Sequence, residues 1–291
     1  MIKYSIVVPV APYRSAEVLG SLKELDYPKN KYEVLVFEGP NPSINRNKGI
    51  KAAKGEIILF LDDDAVISKD LLKRADEFFE RCPEVDIMGG PQLTPKDDPL
   101  FAKISGEVIA CFLATFKMCK RYKRGKLDLE ADEKVITSAI CFAKRGVFDK
   151  VGGFDPKLFP GEEPVLLIKA KKEGFKIAYN PEIFIYHRRR PTLKGFFKQF
   201  FLYGKTAVSR GTIVNYMPTL FVFYLILLIP LQVFSFLFLI PLFVYLFLII
   251  INSFFIAIKN KKITYLPVSF VLFFLTHIAY GLGYFVGKIR S

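Results

Sequence analysis

The feature that most limits what this chain can fold into is a long stretch without charge. Residues 211–258 contain no charged side chain, and no aspartate or glutamate occurs from Tyr216 to the end of the chain. A helix that spans a membrane needs about 20 apolar residues in sequence, and this stretch is twice that long. The alternative, a buried helical hairpin in a soluble protein, would still carry amphipathic helices. The composition therefore predicts membrane helices.

The apolar region divides into three segments. Pro230 and Pro241 interrupt the first stretch, which predicts two helices at about 217–236 and 238–258. Three lysines then precede a third apolar run at about 264–287, for which a re-entrant or interfacial segment is an alternative to a full crossing.

The distribution of basic residues predicts the orientation. Cytoplasmic flanks of membrane helices are rich in lysine and arginine, and the N-terminus MIKYSIVVPV lacks the pattern of a signal peptide. We therefore expect a multi-pass cell-membrane protein whose N-terminal domain is cytosolic. The basic residues that precede the first span are Arg188, Arg189, Arg190, Lys194, Lys198, Lys205 and Arg210.

The formal net charge of +14 has two interpretations. Nucleic acid is one partner that it would attract, but the chain has no nucleic-acid-binding motif. Membrane lipids are favoured, because the basic residues lie beside the apolar segments and anionic lipid attracts them. We expect no nucleic-acid partner.

Short apolar runs alternate with helical patterns in the first half of the chain. Strands are predicted at 3–10, 32–37, 57–61 and 85–88, with helices between them. This alternation indicates an α/β domain wound from strand–helix–strand units. Ligands bind at the carboxyl ends of the strands in such sheets.

Three consecutive aspartates, Asp62, Asp63 and Asp64, follow the predicted strand 57–61 directly. Like charges at the end of a strand repel one another, and burial disfavours their charged forms. A hard divalent cation such as Mg²⁺ or Mn²⁺ resolves this, because it prefers carboxylate oxygens and binds phosphates as well. A solvated acidic turn is the alternative.

Four other polar residues are candidates for the same chemistry. Arg46 would contact a phosphate or ribose, or would pair with the aspartates. Glu162 and Glu163 begin a predicted helix, where the helix dipole favours acidic residues, and one of them is a candidate general base. His187 ends a predicted strand and is a candidate ligand or phosphate contact, although a single histidine is more often structural.

The order of these motifs resembles the family 2 glycosyltransferases of the GT-A fold. The resemblance covers about residues 3–190. The segments that carry it are Ser5–Pro9, Asp26–Pro28, Glu33–Val36, Arg46–Gly49, Ala53–Glu56, Phe60–Asp64, Val151–Asp155, the pair Glu162 and Glu163, and His187. The segment Gln199–Gly204, the three apolar runs and His277–Gly283 are similar to membrane-bound members that build exopolysaccharides of the succinoglycan type.

The resemblance implies a fold and a domain organisation. The expected fold is a GT-A domain, a Rossmann-like mixed sheet of the nucleotide-diphospho-sugar transferases, followed by a transmembrane helical segment. The expected boundaries are 1–190 for the GT-A domain, 191–212 for an interfacial amphipathic helix and linker, and 213–291 for the transmembrane region.

The resemblance also implies an activity. It is an inverting, metal-dependent transfer of a hexose-type sugar from a UDP- or GDP-type nucleotide sugar to a lipid-linked or glycan acceptor at the cytosolic membrane face. A single addition is expected rather than a processive polymerisation. The implied cofactor is Mg²⁺ or Mn²⁺.

The resemblance implies roles for particular residues, which we list by function. Asp62 and Asp64, with Asp64 the direct ligand, and His187 would hold the metal. Glu163, with Glu162 beside it, would be catalytic, and Ser138 and Ala139 would face the acceptor. Donor contacts would come from Pro9, Glu38, Arg46, Asp62, Asp63, Gln199 and Tyr203.

Two positions depart from the family pattern. Glu38 stands where the family usually has an aspartate that helps to hold the base and ribose, and Glu163 stands where the family base is commonly aspartate. These departures motivate the alternative of a catalytically inactive scaffold that binds nucleotide sugars in a glycan-assembly complex. A cation-dependent nucleotidyltransferase is a third hypothesis, which the apolar tail and the segment 152–155 fit poorly.

Overall fold

The structure is a computed structural model, and it describes residues 1–210 and 213–290. Gly211, Thr212 and Ser291, which fall within the predicted linker and transmembrane region, lie outside the described residues. The described chain forms two compact units. The first comprises Met1–Pro95 and Lys120–Arg188, and the second comprises Lys96–Cys119 and the described residues from Arg189 onward. The division into domains near residue 190 stays a prediction.

A six-stranded sheet forms the centre of the first unit. Its order is β2-β1-β3-β7-β5-β8. The strands are β1 Tyr4–Val10, β2 Tyr32–Glu38, β3 Ile57–Leu61, β5 Ile87–Gly89, β7 Ile140–Lys144 and β8 Ile177–Tyr179. β1 is parallel to both β2 and β3, whereas β7 is antiparallel to β3 and β5. The sheet is therefore mixed.

The central strands β1 and β3 are apolar except for Ser5, because both faces of the sheet are covered. Every residue of β1 and β3 is buried. Alternate residues point to opposite faces, so Ile6 and Leu59 join one hydrophobic cluster while Val7 and Ile58 join the other. The helices of this unit are α1 Val18–Lys23, α2 Pro42–Ala52, α3 Leu71–Arg81, α6 Gly146–Val151 and α7 Glu162–Lys172.

A second, three-stranded sheet lies in the same unit and has the order β4-β9-β6. Its strands are β4 Ala65–Ile67, β6 Gln92–Leu93 and β9 Ile185–His187. β4 follows the aspartates after β3, and it pairs with β9 in antiparallel register. This small sheet connects the end of β3 to the end of β9.

The second unit is helical. Its helices are α4 Leu100–Ile109, α5 Phe112–Thr115, α8 Leu193–Thr206, α9 Met217–Phe234, α10 Ile240–Asn260 and α11 Tyr265–Arg290. Among the described residues, three helices are long and apolar enough to cross a membrane, namely Met217–Phe234, Phe236–Asn260 and Tyr265–Arg290.

Three segments differ from what their local sequence predicts. The partly amphipathic run over 99–121 predicts one helix, but α4 ends at Ile109, and Phe116 adopts a positive φ of 50° that a continuous helix does not allow. The apolar run from Val135 to Ala143 predicts a strand, which begins only at Ile140. Ser68 is a predicted N-cap, but it does not cap α3 through its side chain, because the helix begins at Leu71 after Asp70.

Candidate active site

The aspartates lie at the carboxyl end of β3, and strand pairing brings His187 to them. β4 pairs with β9 so that Ala65 is the partner of His187. The residue before Ala65 is Asp64, whose Oδ1 lies 3.1 Å from His187 Nε2. Oδ2 of Asp62 lies 3.6 Å from the same nitrogen. One ligand atom from each of these three residues lies within 4.8 Å of the others.

Two arginines bind the remaining oxygens of the same carboxylates. Arg46 Nη2 is 2.8 Å from Asp62 Oδ1, and Arg14 Nη2 is 2.9 Å from Asp64 Oδ2. Each carboxylate therefore turns one oxygen to an arginine and the other to His187. Since the inner oxygens converge with an imidazole nitrogen, the group could hold a divalent cation.

The electrostatics agree with ionised carboxylates at Asp62 and Asp64. Burial alone would raise the pKa of each group. For Asp62, the hydrogen bond to His187 and the charge of Arg46 outweigh burial and hold its pKa below its ordinary value. For Asp64, His187 and Arg14 do the same and hold the pKa far below its usual range. Both side chains are therefore anionic near neutral pH.

Asp63 faces a different partner. Its Oδ1 lies 3.3 Å from Arg14 Nη1, and its Oδ2 accepts a hydrogen bond of 3.4 Å from the backbone N–H of Ala11. Burial raises the pKa of Asp63, and Arg14 opposes that shift. This side chain thus ties the loop after β1 to the aspartate turn and is not among the three converging side chains Asp62, Asp64 and His187.

Arg46 also joins the aspartates to the start of α7. Its Nη1 donates a 2.7 Å hydrogen bond to Glu162 Oε1, and both residues are buried, at 3% and 2% exposure. The second oxygen of Glu162 accepts from the backbone N–H of Gly161 at 2.8 Å. Burial, followed by the nearby charge of Glu163, raises the pKa of Glu162 to about 7, although Arg46 opposes it.

Glu163 has a second arginine as its partner. Arg121 Nη1 lies 3.2 Å from Glu163 Oε1, while its other nitrogens donate to the carbonyl oxygens of Lys134 and Glu133 at 2.6 and 3.3 Å. The side chain of Glu163 is 17% exposed, compared with 2% for Glu162. Glu163 is therefore the more accessible of the two carboxylates.

The helix that carries Arg46 is fixed at its start and along its side. Pro42 begins α2, and the Asn41 side chain accepts hydrogen bonds from the N–H groups of Ser43 and Ile44 at 2.9 and 3.3 Å, which is a regular N-cap. Asn47 exchanges two hydrogen bonds, of 2.7 and 2.8 Å, with the backbone of Phe154. The Arg46 guanidinium lies over the ring of the same phenylalanine, 5.6 Å from its centroid.

Glycine is required at one position of this contact. A Cβ atom built at Gly153 would overlap the Asn47 amide oxygen. The segment Gly152–Asp155 therefore packs directly against α2. Its contacts with Asn47 and with the Arg46 guanidinium help to fix the orientation of Arg46.

The other predicted donor residues of the first unit lie at strand ends. Pro9 is buried in β1 opposite Phe37, and Glu38 is exposed at the end of β2 opposite Val10. β1 lies between β2 and β3 in the sheet. The roles predicted for Pro9 and Glu38 stay predictions.

The predicted acceptor residues lie beside the aspartate turn, and the remaining donor residues lie in the second unit. Ser138 and Ala139 are buried just before β7, and the Ala139 carbonyl accepts from the Asp62 N–H at 3.4 Å. Gln199 and Tyr203 lie on α8 in the second unit, where Gln199 Nε2 donates to the Tyr203 hydroxyl at 3.0 Å. Their predicted roles are not tested by these contacts.

Two arginines of the site, Arg14 and Arg121, carry no local motif that marks them as functional. Arg14 follows a short loop after β1, and Arg121 lies in a run of basic residues that reads as a solvated surface. Arg121 is instead 5% exposed. Only the tertiary structure brings Arg14 to Asp64 and Arg121 to Glu163. The clustered carboxylates at 62–64 and 162–163 do predict that cationic side chains lie nearby, because buried charges need partners.

The sequence comparison identifies the family. Residues 2–201 match the family described as glycosyltransferase-like family 2. The match covers most of the chain, so the protein belongs to this family and is a glycosyltransferase. The predicted family is confirmed.

Two curated relatives illustrate the range of the similarity. The dolichyl N-acetyl-alpha-D-glucosaminyl phosphate 3-beta-D-2,3-diacetamido-2,3-dideoxy-beta-D-glucuronosyltransferase of Methanococcus voltae is 23% identical over 309 residues, which cover 91% of this chain and 90% of that protein. The poly(ribitol-phosphate) beta-N-acetylglucosaminyltransferase TarS of Staphylococcus aureus is 30% identical over 112 residues, 28% of this chain and 19% of its own. The chain thus spans nearly all of the first relative and a fifth of the second.

A solved structure shares the fold. The mannosyltransferase PcManGT from Pyrobaculum calidifontis, in complex with GDP-Man and Mn²⁺, has a TM-score of 0.57 and 16% sequence identity, with coverage of 99% of this chain and 87% of that one. The predicted fold class, a GT-A-like mixed α/β domain followed by apolar helices, is confirmed.

Proposed function

We propose that the protein is an inverting, metal-dependent glycosyltransferase that moves a hexose-type sugar from a UDP- or GDP-type donor to a lipid-linked or glycan acceptor. The observation that carries this proposal is the convergence of Asp62 Oδ2, Asp64 Oδ1 and His187 Nε2 at the carboxyl end of β3. Ligands bind at such strand ends in open α/β sheets.

The three residues would hold Mg²⁺ or Mn²⁺. Their two carboxylate oxygens suit either ion, whereas an imidazole nitrogen is more typical of transition metals and so favours Mn²⁺. Bound there, the ion would neutralise charge on the departing diphosphate. The complex of PcManGT with GDP-Man and Mn²⁺ agrees with this choice.

Glu163 is the general base in this proposal. It accepts the proton of an acceptor hydroxyl while that oxygen bonds to the anomeric carbon and the bond from this carbon to the diphosphate breaks. One direct displacement inverts the configuration. Glu162 is less suited, because Arg46 occupies one of its oxygens and the Gly161 N–H the other. We assign to Glu162 the positioning of Arg46.

The donor and acceptor contacts extend from this centre. Pro9, Glu38 and Asp63 lie at the ends of three neighbouring strands and would contact the nucleotide. Ser138 and Ala139 would lie towards the acceptor, and Gln199 and Tyr203 would contact the donor. These assignments come from the family resemblance.

A lipid-linked acceptor and a membrane location support each other. The name of the Methanococcus voltae relative specifies a dolichyl phosphate-linked acceptor. An enzyme anchored by apolar helices meets a bilayer-bound acceptor at high effective concentration. The basic residues before α9 favour a cytosolic catalytic unit.

The test is a turnover assay on the full-length protein in detergent. Labelled UDP- and GDP-sugars are incubated with a polyprenyl phosphate-linked sugar, and nucleoside diphosphate release is measured with Mn²⁺, with Mg²⁺ and with chelator. Release that requires a divalent ion is expected. Full activity in the presence of chelator would show that turnover does not require a divalent ion.

The same assay distinguishes an enzyme from an inactive scaffold. A scaffold would bind one nucleotide sugar and release no diphosphate with any donor. The departures at Glu38 and Glu163 motivated that alternative, and donor binding without release in the presence of acceptor and Mn²⁺ would support it.

A further inference from the structure

Residues 108–127 have the composition of a membrane-binding element, although they are far from the apolar tail in sequence. Residues 108–116 contain no charged side chain, whereas the next eleven residues contain six basic side chains and no acidic one. An apolar part beside a purely basic part is typical of elements that lie between hydrocarbon and anionic lipid head groups. The pattern therefore raises the question of what surrounds this segment.

The apolar part of the segment lies in the second unit, where it contacts α10 and α11. Cys111 Sγ donates to Asn252 Oδ1 at 3.0 Å, and the Leu113 carbonyl oxygen lies 2.9 Å from His277 Nε2. Asn252 is twelve residues after the start of the 21-residue α10, and His277 is twelve residues after the start of the 26-residue α11. Both contacts are therefore near the middle of their helices, which is the part of a membrane-crossing helix that hydrocarbon surrounds.

The two helices that this segment contacts run antiparallel and have an apolar outer surface. α11 begins five residues after α10 ends, and the Tyr245 hydroxyl lies 2.7 Å from His277 Nδ1. On α10, the side chains of Phe243, Phe247 and Phe255 are 62%, 60% and 66% exposed. Large apolar side chains exposed along a whole helix are expected where lipid surrounds it.

Backbone groups at the break between α4 and α5 have partners within the second unit. The Thr115 hydroxyl donates to the Ile109 carbonyl at 2.7 Å. Since the Leu113 carbonyl can only accept, His277 donates to it through Nε2, and Nδ1 accepts from the Tyr245 hydroxyl. Irregular backbone is tolerated at membrane depth only where its polar groups are satisfied, and these two carbonyls meet that condition.

Two phenylalanines of the segment face outward from the protein. Phe112 is 56% exposed and Phe116 is 39% exposed, and the centroids of their rings lie 4.7 Å apart. Two neighbouring rings on the surface form an apolar patch, which is favourable only where water is excluded. The next residue, Lys117, is exposed. The patch therefore ends, along the chain, where the basic run begins.

We propose that residues 108–127 are a second membrane-binding element, in which Phe112 and Phe116 enter the hydrocarbon beside α10 and α11 and the basic residues that follow bind anionic lipid head groups. The partner is the bilayer, because the patch lies on helices whose outer surface is already apolar and because anionic lipid attracts clustered basic residues. The exposed basic residues of the element are Lys117, Lys120, Lys123, Arg124 and Lys126.

Tryptophan fluorescence tests the insertion, because the chain contains no tryptophan of its own. Phe112→Trp and Phe116→Trp are made separately in the full chain and reconstituted in phosphatidylcholine vesicles, with and without lipid that carries bromine on its acyl chains. Bromine quenches tryptophan fluorescence on contact. The reference within the bilayer is Phe243→Trp on the exposed side of α10, and the reference outside it is Val36→Trp on the exposed strand β2.

Loss of fluorescence in Phe112→Trp and Phe116→Trp should be as large as in Phe243→Trp. A loss in either variant that is no larger than in Val36→Trp would overturn the proposal. Blue-shifted emission without quenching would overturn it too, because the rings would then be covered by protein, such as a second copy of the chain. Absence of quenching in Phe243→Trp would show that α10 is not in the bilayer and would likewise contradict the proposal.

The same probe tests the binding of head groups. Phe116→Trp is placed in mixed vesicles in which either phosphatidylglycerol or phosphatidylcholine carries the bromine, at equal mole fraction. Stronger quenching by the anionic lipid is expected, and equal quenching by both lipids would overturn the proposal. Adding Lys123→Gln and Lys126→Gln should reduce the difference, whereas Lys171→Gln and Lys172→Gln, at two exposed lysines of α7, should not. Neither readout requires turnover, so the result is independent of the proposed function.

Discussion

The two units of this protein hold their parts together by different interactions. In the first unit, buried or half-buried carboxylates are held by arginines, as in the pairs Arg46–Glu162 and Arg121–Glu163. In the second unit, helices meet where side chains are missing, as at Gly204 and Gly283. The first arrangement depends on charge, and the second depends on volume.

This difference predicts which substitutions each unit tolerates. Removing a charge without changing the size of a side chain should damage the first unit, because the partner charge remains buried. Adding a methyl group should damage the second unit, because two backbones already touch. Four predictions test this contrast.

The largest expected effect is on turnover. Glu163→Gln preserves size and removes the proposed base, so the turnover rate should fall by about 10²- to 10⁴-fold while donor binding is retained. Glu173→Gln, an exposed position at the other end of α7, is the matched control. Unchanged turnover in Glu163→Gln would exclude Glu163 as the base.

The next effect is on stability. Arg46→Met leaves Glu162 buried without its cation, which should lower the free energy of unfolding by about 3–5 kcal/mol. The exposed Arg81→Met should change it little. Thermal unfolding in detergent measures both, and the double variant Arg46→Met/Glu162→Met should be more stable than the single one. Equal melting temperatures for Arg46→Met and wild type would show that this pair is not needed for the fold.

A smaller effect is expected where helices touch. Gly283→Ala places a methyl group against the Phe201 carbonyl and should cost about 1–3 kcal/mol. Gly20→Ala in α1 meets no atom within 4 Å, and should be neutral or stabilising by up to about 1 kcal/mol. A Gly283→Ala variant as stable as Gly20→Ala would contradict the close contact of α8 and α11.

The smallest effect is a dependence of stability on pH. The pKa of Glu162 is raised by burial to about 7, above its ordinary value of 4.5. The folded state therefore binds this proton more tightly than the unfolded state, so the contribution of Glu162 to stability falls as pH rises from about 4.5 to about 7 and is constant above that. Glu162→Gln should remove this part of the slope of melting temperature against pH. An unchanged slope would contradict the raised pKa.

The elements that could be predicted from the sequence are those with a strong local pattern. The β-branched runs of β1 and β3 and the aspartates after β3 lie where expected, and the apolar helices lie near their predicted bounds. Asp62, Asp64 and His187 were predicted as one group from the order of family motifs. The register of Ala65 with His187 supplies the physical reason for their proximity.

The remaining features depend on contacts that no local pattern encodes. The choice of Arg14 and Arg121 as partners, among many basic residues, follows from the path of the loop after β1 and from the short 3-10 helix Phe116–Tyr122. Segment 96–119 groups with the helices near the end of the chain, although its sequence is continuous with that of the first unit. The partners of Gly204 and Gly283 are about 80 residues away along the chain, and glycine spacing alone does not identify them.

The most direct test of the central claim is a calorimetric titration of the full-length protein with Mn²⁺, followed by UDP or GDP. The wild type should take up one ion, and the nucleoside diphosphate should bind more tightly once the ion is present. Asp64→Asn and His187→Asn should lose both effects, whereas Asp63→Asn, whose carboxylate faces Arg14, should retain ion uptake. Diphosphate binding that is equal with and without Mn²⁺, or ion uptake that is unchanged in Asp64→Asn, would contradict a metal site at the end of β3.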